Sequence, residues 1–496
     1  MRDYSFGNFI STLREKNGLS QYQLGVLVGV SDKAVSKWEN GASKPRINTI
    51  KKLAQILNVS VNELLTCEYD TFENMRKDLF AMKKEIIKAA ENRLAEIYGD
   101  NPPVLIKNRF KTEKLMLDDS DAILTMGFMG RLQEEFTKKD MYLQTQNVQM
   151  GASFVAWLLG ATSVNPLPAH YHCPKCKKIE FGSGEKCGID LEDKICSCGK
   201  AYKKDGFGIG MLNMLPLQKW TVVAVPSGGS KLVKNALKEY INGYGSLYEV
   251  EYEQGNIIDE REQDEESRIR VVKYLIASKE EPTKFTNAKV TLPLENYLDL
   301  VSDSSGITVF EKDDLALVSA KKEEINFSKD QLVAFWNYAK ENKLFEGRGD
   351  KLNFEPIYSK IQVPKFSELI SILGLACGSN IWPDNAEKLY ITGIPLGELN
   401  YCREDVCDYL YSRLGKCFEL PLGETYEIKE KYRKGIYAGK GMPKETEELL
   451  LECGVPAWYI DSLKKVRYAF AKTVVIEILI GQIAEFQGKA GMSDEL

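Results

Sequence analysis

The chain opens with apolar residues three and four places apart, in short blocks each cut off by turn-forming residues. That spacing predicts short helices over 9–16, 21–28, 31–40, 47–57 and 61–65. Asn17-Gly18, Gly29, Gly41 and Lys44-Pro45 separate them, as helix stops and turns should. Ser20 and Ser31 each stand immediately before one of these helices, Ser20 with Gln23 three places on, which is the pattern of an N-cap and capping box. Leu13, Leu24, Leu27, Val30, Val35, Trp38, Ile50, Leu53, Ile56 and Leu57 would close a small all-α core, leaving Asp32, Lys33, Ser36 and Lys37 on the outer face of the third helix. Residues 67–100 then place Met75, Leu79, Met82, Ile86, Ile87, Leu94 and Ile97 at helical spacing among Lys, Glu and Ala. One long amphipathic helix is predicted there, serving as a connector, as a dimer contact or as a helix docked on its own chain. Further on, "VPSGGS" (225–230) reads as a turn between a strand over 220–225 and a helix over 232–241.

At 496 residues and 44% hydrophobic the chain has room for several domains. Its most apolar stretch, 474–480, is short and interrupted by Glu477, so neither a membrane span nor a membrane partner is expected and the protein is placed in the cytoplasm. The net charge of −5 hides an asymmetry: residues 1–66 hold nine Lys or Arg against five acids, so that segment is near +4 and the rest near −9. The N-terminus alone has the balance suited to a phosphate backbone. The run 260–266 reads as a solvated acidic loop.

Five of the eleven cysteines fall between Cys173 and Cys198. In a reducing compartment such bunching reads as a metal cluster, not a disulfide framework. Cys173-x2-Cys176 and Cys196-x-Cys198 supply four thiolates on two turns, the sulfur cage that Zn2+ prefers; with all four positions protein-filled the zinc would be structural. The second pair is one residue tighter than usual, so Cys187 or His172 stands as an alternative fourth ligand. With His170 and His172 the only histidines, both beside this cluster, no Ser-His-Asp arrangement is credible.

The stretch "LREKNGLSQYQLGVLVGVSDKAVSKWENGASKPRINTIKKLAQILNVSVNELL" resembles the helix-turn-helix domain of the Cro/C1 (Xre) repressor family, including its LSQ opening and WENG close. The resemblance implies double-stranded DNA as partner, Ser31, Asp32, Lys33, Ser36 and Lys37 in the major groove, Gln21 and Lys44 on the backbone, and two copies on two half-sites, hence a homodimer.

A second resemblance begins in residues 142–209, where NPLP, HY-x-CP-x-C, G-x-DL-x-DK and KKDG-x-x-I occur in order, similar to the zinc-containing stretch of PolC-type DNA polymerase III alpha subunits. It resumes in "PKFSELISILGLACGSNIWPDNAEKL", "LGELNYCREDVCDYL" and "YRKGIYAGKGMPKETEELLLECGVPAWYIDSLKKVRYAFAKT". The resulting expectation is multidomain: an all-α helix-turn-helix domain (1–66), a helical linker (67–100), and an α+β polymerase-like module with a zinc-binding insertion. Within that module, a palm-like region (101–330) carries a zinc ribbon (170–204), and a helical fingers-like region (331–485) precedes a tail (486–496).

The family resemblance also implies an Asp-x-Asp pair soon after the zinc stretch and a third Asp on a later strand, to hold two metal ions. Here no acid occurs between Asp205 and Glu239, and Thr291, Leu292 and Pro293 stand near the third position. The family's glycine-rich phosphate turn becomes "QTQNVQMGAS", with Thr145 and Val148 for glycines, Asn147 for arginine, and Gly151 and Ser153 retained; its lysine-alanine-histidine run becomes Lys472-Thr473-Val474. Arg433, Lys434, Lys440, Lys464, Lys465 and Arg467 read either as a grip on template phosphates or as a solvated surface. From these losses the chain is expected not to be an enzyme but a sequence-specific DNA-binding protein, a transcriptional regulator with a polymerase-like zinc module. The alternative is a polymerase mimic that engages primer-template DNA or replication proteins; a further one is an active DNA-directed DNA polymerase with carboxylates from Asp299, Asp303, Asp313 or Asp314.

Overall fold

A computed structural model describes residues 4–493, apart from 18, 58, 60, 67–68, 119, 139–146, 183, 218–219, 227–228, 242–244, 253–268, 279–289, 293–304, 313–324, 347–351 and 416–420. The acidic loop, Thr145, Pro293, Asp299, Asp303, Asp313 and Asp314 therefore lie outside the described residues. Two compact units are present, the first built on Met1–Ala81 and the second on most of the chain from Met82 onward.

Five short helices open the first unit: α1 (Tyr4–Lys16), α2 (Gln21–Val28), α3 (Asp32–Glu39), α4 (Ile47–Ile56) and α5 (Val61–Thr66). Their starts are set by side chains. Ser20 Oγ accepts the Gln23 N–H while the Gln23 side chain accepts the Ser20 N–H, and Ser31 Oγ accepts the Ala34 N–H at 3.3 Å. Gly29 closes α2 at φ 84°, a left-handed conformation that costs a Cβ-bearing residue about 1 kcal/mol. Ile10, Leu13, Leu24, Val35, Leu53, Leu57 and Leu64 fill the core, with Val30 and Ile56 packed at its margin. Leu27, expected in that core, is instead 55% exposed. At 3.6 residues per turn it falls about 100° around α2 from the centre of the buried Leu24–Gly25–Val28 stripe. The α1–α3 crossing is a backbone contact, since a Cβ on Gly7 would lie 2.2 Å from the Glu39 carbonyl oxygen.

A 30-residue helix, Tyr69–Tyr98, covers most of the segment expected to be helical; Met82, Ile86, Ile87 and Ala90 are buried along it. In the second unit, β1 (His170–His172), β2 (Ile179–Phe181) and β3 (Lys203–Asp205) form a small antiparallel sheet in the order β2-β1-β3, with His170 opposite both Phe181 and Asp205. A second, mixed sheet contains β4 (Trp220–Pro226), β5 (Gly245–Tyr252), β6 (Ile269–Ser278), β7 (Val290–Leu292) and β8 (Ser305–Lys312). Its order is β4-β8-β6-β5-β7, β8 running parallel to β4 and antiparallel to β6. The remaining elements among the described residues are helical, and the helices from Lys329–Glu341 to Lys472–Ser493 share one core around Trp336, Phe345, Phe354 and Trp382.

The last helix, Lys472–Ser493, ties early and late sequence together. Gly151 admits it closely, because a Cβ there would lie 2.4 Å from Thr473 Cβ. Buried Glu477 accepts bonds from Thr162 Oγ1 and the Ser163 N–H, both at 2.7 Å. Gln487 exchanges two bonds with the Asn326 backbone, at 3.0 and 2.6 Å.

Candidate nucleic-acid interface and metal centre

Asp32, Lys33 and Lys37 are exposed on α3, and Ser36 is half-buried beside them. Neither lysine forms an ion pair among the described residues, so both charges face solvent. The helix beneath is held by a buried network. Arg14 Nε donates to Glu39 Oε1 at 2.6 Å, Arg14 Nη2 to Glu39 Oε2 at 3.1 Å and Arg14 Nη1 to the Leu19 carbonyl at 2.9 Å. The bond to Glu39 raises the Arg14 guanidinium above its ordinary range, outweighing burial. Gln21 adds its amide to Glu39 Oε2 at 2.7 Å, so this residue, expected on the DNA backbone, is engaged at least in part with its own domain. Ser31 is committed in the same way to its cap, and Lys44 is exposed with its ammonium 5.5 Å from the Phe6 ring centre. Nothing in the hydrophobic pattern pointed to the Arg14–Glu39 pair; an Arg and a Glu among core-spaced residues were its only signal.

The second assembly is sulfur. The Sγ atoms of Cys173, Cys176, Cys196 and Cys198 all lie within 4.8 Å of one another, with 3.4 Å between Cys173 and Cys198 and 3.5 Å between Cys176 and Cys196. A tetrahedral ion with metal–sulfur bonds of about 2.3 Å needs sulfurs about 3.8 Å apart, within this spread. Each pair sits on its own knuckle. Cys173 N donates to Lys178 O and Lys177 N to Cys173 O; Cys196 N donates to Lys200 O and Gly199 N to Cys196 O. The residue after each second cysteine is left-handed, Lys177 at φ 60° and Gly199 at φ 82°. The one-residue shortening of the second knuckle is thus absorbed in the same closing turn. The Cys198 N–H directed at its sulfur pulls the Cys196 thiol down to about 6, which favours a thiolate ligand.

Neither alternative ligand joins this group. Cys187 is in the main core, its Sγ 3.3 Å from Asp190 Oδ2, and burial pushes its thiol far up. His172 is buried with its ring 5.6 Å from Tyr98 and 6.0 Å from His170. His170 is accounted for by its neighbours: Nδ1 lies 2.8 Å from the Pro168 carbonyl and so carries the proton, leaving Nε2 to accept from Tyr98 Oη at 2.9 Å. Asn165 Nδ2 donates onward to Tyr98 Oη and Asp205 Oδ2.

The remnant of the phosphate turn carries a group that the sequence did not reveal. Glu113 accepts from Ser153 Oγ (2.9 Å) and from the N–H groups of Phe154 and Val155 (both 3.0 Å), and pairs with Arg109. Arg109 reaches on to the Ala152 and Ile209 carbonyls. Asn147 Oδ1 caps the short helix Val148–Ala152. Lys472 is buried, with its ammonium 2.8 Å from Asp405 Oδ1; burial alone would lower it, but the facing carboxylate raises it. Asp408 accepts from Gly210 N and Asn213 Nδ2, at 2.9 and 3.0 Å, and burial pushes it up to about 6. It borders a cavity of about 490 Å³ walled by Leu105, Pro166, Pro168 and Met211. Thr291 and Leu292 stand on β7, paired with β5.

Geometry and family agree on the class of the first unit: residues 10–64 match the helix-turn-helix family, so the N-terminus is a helix-turn-helix domain of the Xre type. Over most of its length the chain is similar to DNA polymerase III of PolC type. It is 25% identical to the protein of Caldanaerobacter subterraneus subsp. tengcongensis over 478 residues (82% of this chain, 33% of the relative), 26% identical to that of Clostridium perfringens over 456 (79% and 31%) and 25% identical to that of Bacillus subtilis over 480 (81% and 32%). The chain therefore spans about a third of the length of the curated relatives it matches. These relatives correct one expectation. The empty aspartate positions had led to a protein that is not an enzyme, whereas the proteins it resembles across about four fifths of its length are polymerases. Among the described residues no helix is long and apolar enough to cross a membrane.

Proposed function

We propose that this protein binds double-stranded DNA sequence-specifically through its first unit and acts as a transcriptional regulator, while its polymerase-like region engages primer-template DNA. The observation that carries the reading is the α3 face: Asp32, Lys33, Ser36 and Lys37 lie outward on a helix whose inner side is clamped by Arg14 and Glu39, in a segment near +4. Lys33 and Lys37 supply phosphate or guanine contacts, Asp32 and Ser36 reach base edges with Ser31 beside them at the start of the groove-facing helix, and Gln21 and Lys44 position the backbone. Two copies on two half-sites make the working species a homodimer. The proposed organisation is a linker over 67–100, a palm-like region over 101–330 with the zinc insertion at 170–204, and a fingers-like region over 331–485. Zn2+ is the ion that four thiolates select, and it would cross-link the two knuckles without an open position for chemistry, in a reducing cytoplasm.

Selection from a random duplex library by the full-length protein, at near-physiological salt, tests the first part. A defined site, lost in Lys33→Ala/Lys37→Ala, supports it; enrichment that survives this double variant refutes it. A second reading, nucleotide polymerisation, is favoured by the relatives' shared name, and addition of one nucleotide to a labelled primer with Mg2+ is its direct assay.

A further inference from the structure

The six basic residues near the C-terminus are not equivalent in the structure. Arg433 is held bidentately by Glu430, at 2.7 and 2.6 Å, and Lys464 lies between Glu447 and Asp461, at 3.0 and 2.9 Å. Lys440, Lys465 and Arg467 are exposed and form no ion pair among the described residues, although Asp384 lies within electrostatic reach of Lys465. Arg467 is followed by Tyr468, 37% exposed, whose ring meets Phe470 edge to face at 6.2 Å.

The backbone under these side chains is fixed on both edges. Arg467 N donates to Ser379 O and Ser379 N to Tyr468 O, at 3.0 and 2.9 Å, while Ala469 N donates to Arg433 O and Arg403 N to Phe470 O, at 3.3 and 3.1 Å. Gly435, at φ 66°, packs so closely that a Cβ would lie 2.0 Å from Arg467 O. A free cation and a partly exposed aromatic ring thus follow one another along a ledge of backbone that does not have to be ordered on binding. That preorganised pairing of charge for a phosphate with a ring for a base is how single strands are gripped without sequence readout.

We propose that the Arg467–Tyr468 ledge is a contact site for single-stranded DNA, Tyr468 stacking on an unpaired base and Arg467 holding the adjacent phosphate. The inference rests on the reading that the polymerase-like region engages DNA, and it names the residues that do so on the strand not yet paired.

The test is fluorescence anisotropy of the full-length protein with a labelled oligothymidylate of about twenty nucleotides, titrated at several salt concentrations. Tyr468→Ala is expected to weaken binding about tenfold and Tyr468→Phe, which keeps the ring, by less than about twofold. Arg467→Ala should reduce the slope of log affinity against log salt by about 0.7, one single-strand phosphate contact. Because the Arg467 side chain is exposed and unpaired, its removal leaves the fold intact even if Tyr468→Ala does not. Unchanged affinity and slope in Arg467→Ala overturns the ledge while wild-type binding upholds the broader reading. Failure of the wild type to bind the oligomer at all, with duplex-site selection retained, overturns both the ledge and the single-strand role of this region but leaves α3 as the duplex reader.

Discussion

Replacing Arg14 by Met should open the first unit and leave the second intact. In the native domain the Arg14 and Glu39 side chains are 11% and 6% exposed and meet through two bonds of 2.6 and 3.1 Å. Met fills much of the same volume but leaves a carboxylate out of water with the Gln21 amide as its side-chain donor. Breaking a buried pair from one side costs about 3–5 kcal/mol, whereas a domain of this length is stabilised by roughly 3–10 kcal/mol in total. A large share of the folded population is therefore at stake. Hydrogen exchange by mass spectrometry on the full-length protein would show it: amides of α1 to α3 should exchange faster by a factor corresponding to that loss, with amides beyond residue 100 unchanged, and affinity for the selected duplex should fall in parallel. Arg14→Met/Glu39→Met removes the stranded charge and should recover part of the protection. The reasoning is refuted if Arg14→Met exchanges like the wild type, or if the double variant is as unprotected as the two single losses added together.

Three more outcomes follow from the second unit. Metal analysis of purified protein should find about one zinc per chain in Cys187→Ser and none in Cys198→Ser; the reverse would move the fourth ligand to the core cysteine. Asp408 is raised from 3.8 to about 6, so between those values the folded chain holds a proton the unfolded chain has released, and stability should fall as pH rises through that window by up to about 3 kcal/mol. Thermal unfolding of wild type and Asp408→Asn across pH 4 to 6 checks the sign, because the variant should lack this slope. Gly151→Ala forces a methyl to within 2.4 Å of Thr473 and should cost about 1–3 kcal/mol in chemical denaturation, while Gly423→Ala, with open space at the Cβ, should not.

Much of the first unit was legible because local rules suffice there. Ser20, Ser31 and Gly29 act through neighbours three or four residues away, and helical spacing picked out most of the core. Leu27 misled because an eight-residue helix buries so narrow a stripe that the residue one position short of the buried Val28 already faces water. The cysteine spacing likewise announced two knuckles, and only their juxtaposition separated Cys196 and Cys198 from Cys187 and His172. What could not be read were partners distant in sequence. Glu113 on the 153–155 turn, Asp405 on Lys472 and Asp408 on 210–213 join segments about forty to two hundred residues apart, and a single charged residue on a helix gives no sign of which remote N–H groups it will meet. Gly151 is the instructive case: its retention suggested a phosphate cradle, and the structure gives it a packing contact with Thr473.

The bonds from Glu477 bear on the order in which the molecule can be made. Thr162 and Ser163 are buried polar groups whose acceptor is more than three hundred residues downstream. At about 5–20 residues per second, a ribosome takes roughly fifteen seconds to a minute to bring that acceptor out after the groups that need it. The first unit, with core partners all within its own stretch of chain, is complete long before then. A nascent chain thus displays a finished helix-turn-helix head while the larger unit still waits for the helix Lys472–Ser493, and a ribosome stalled in that interval would hold a half-built second unit in need of a chaperone.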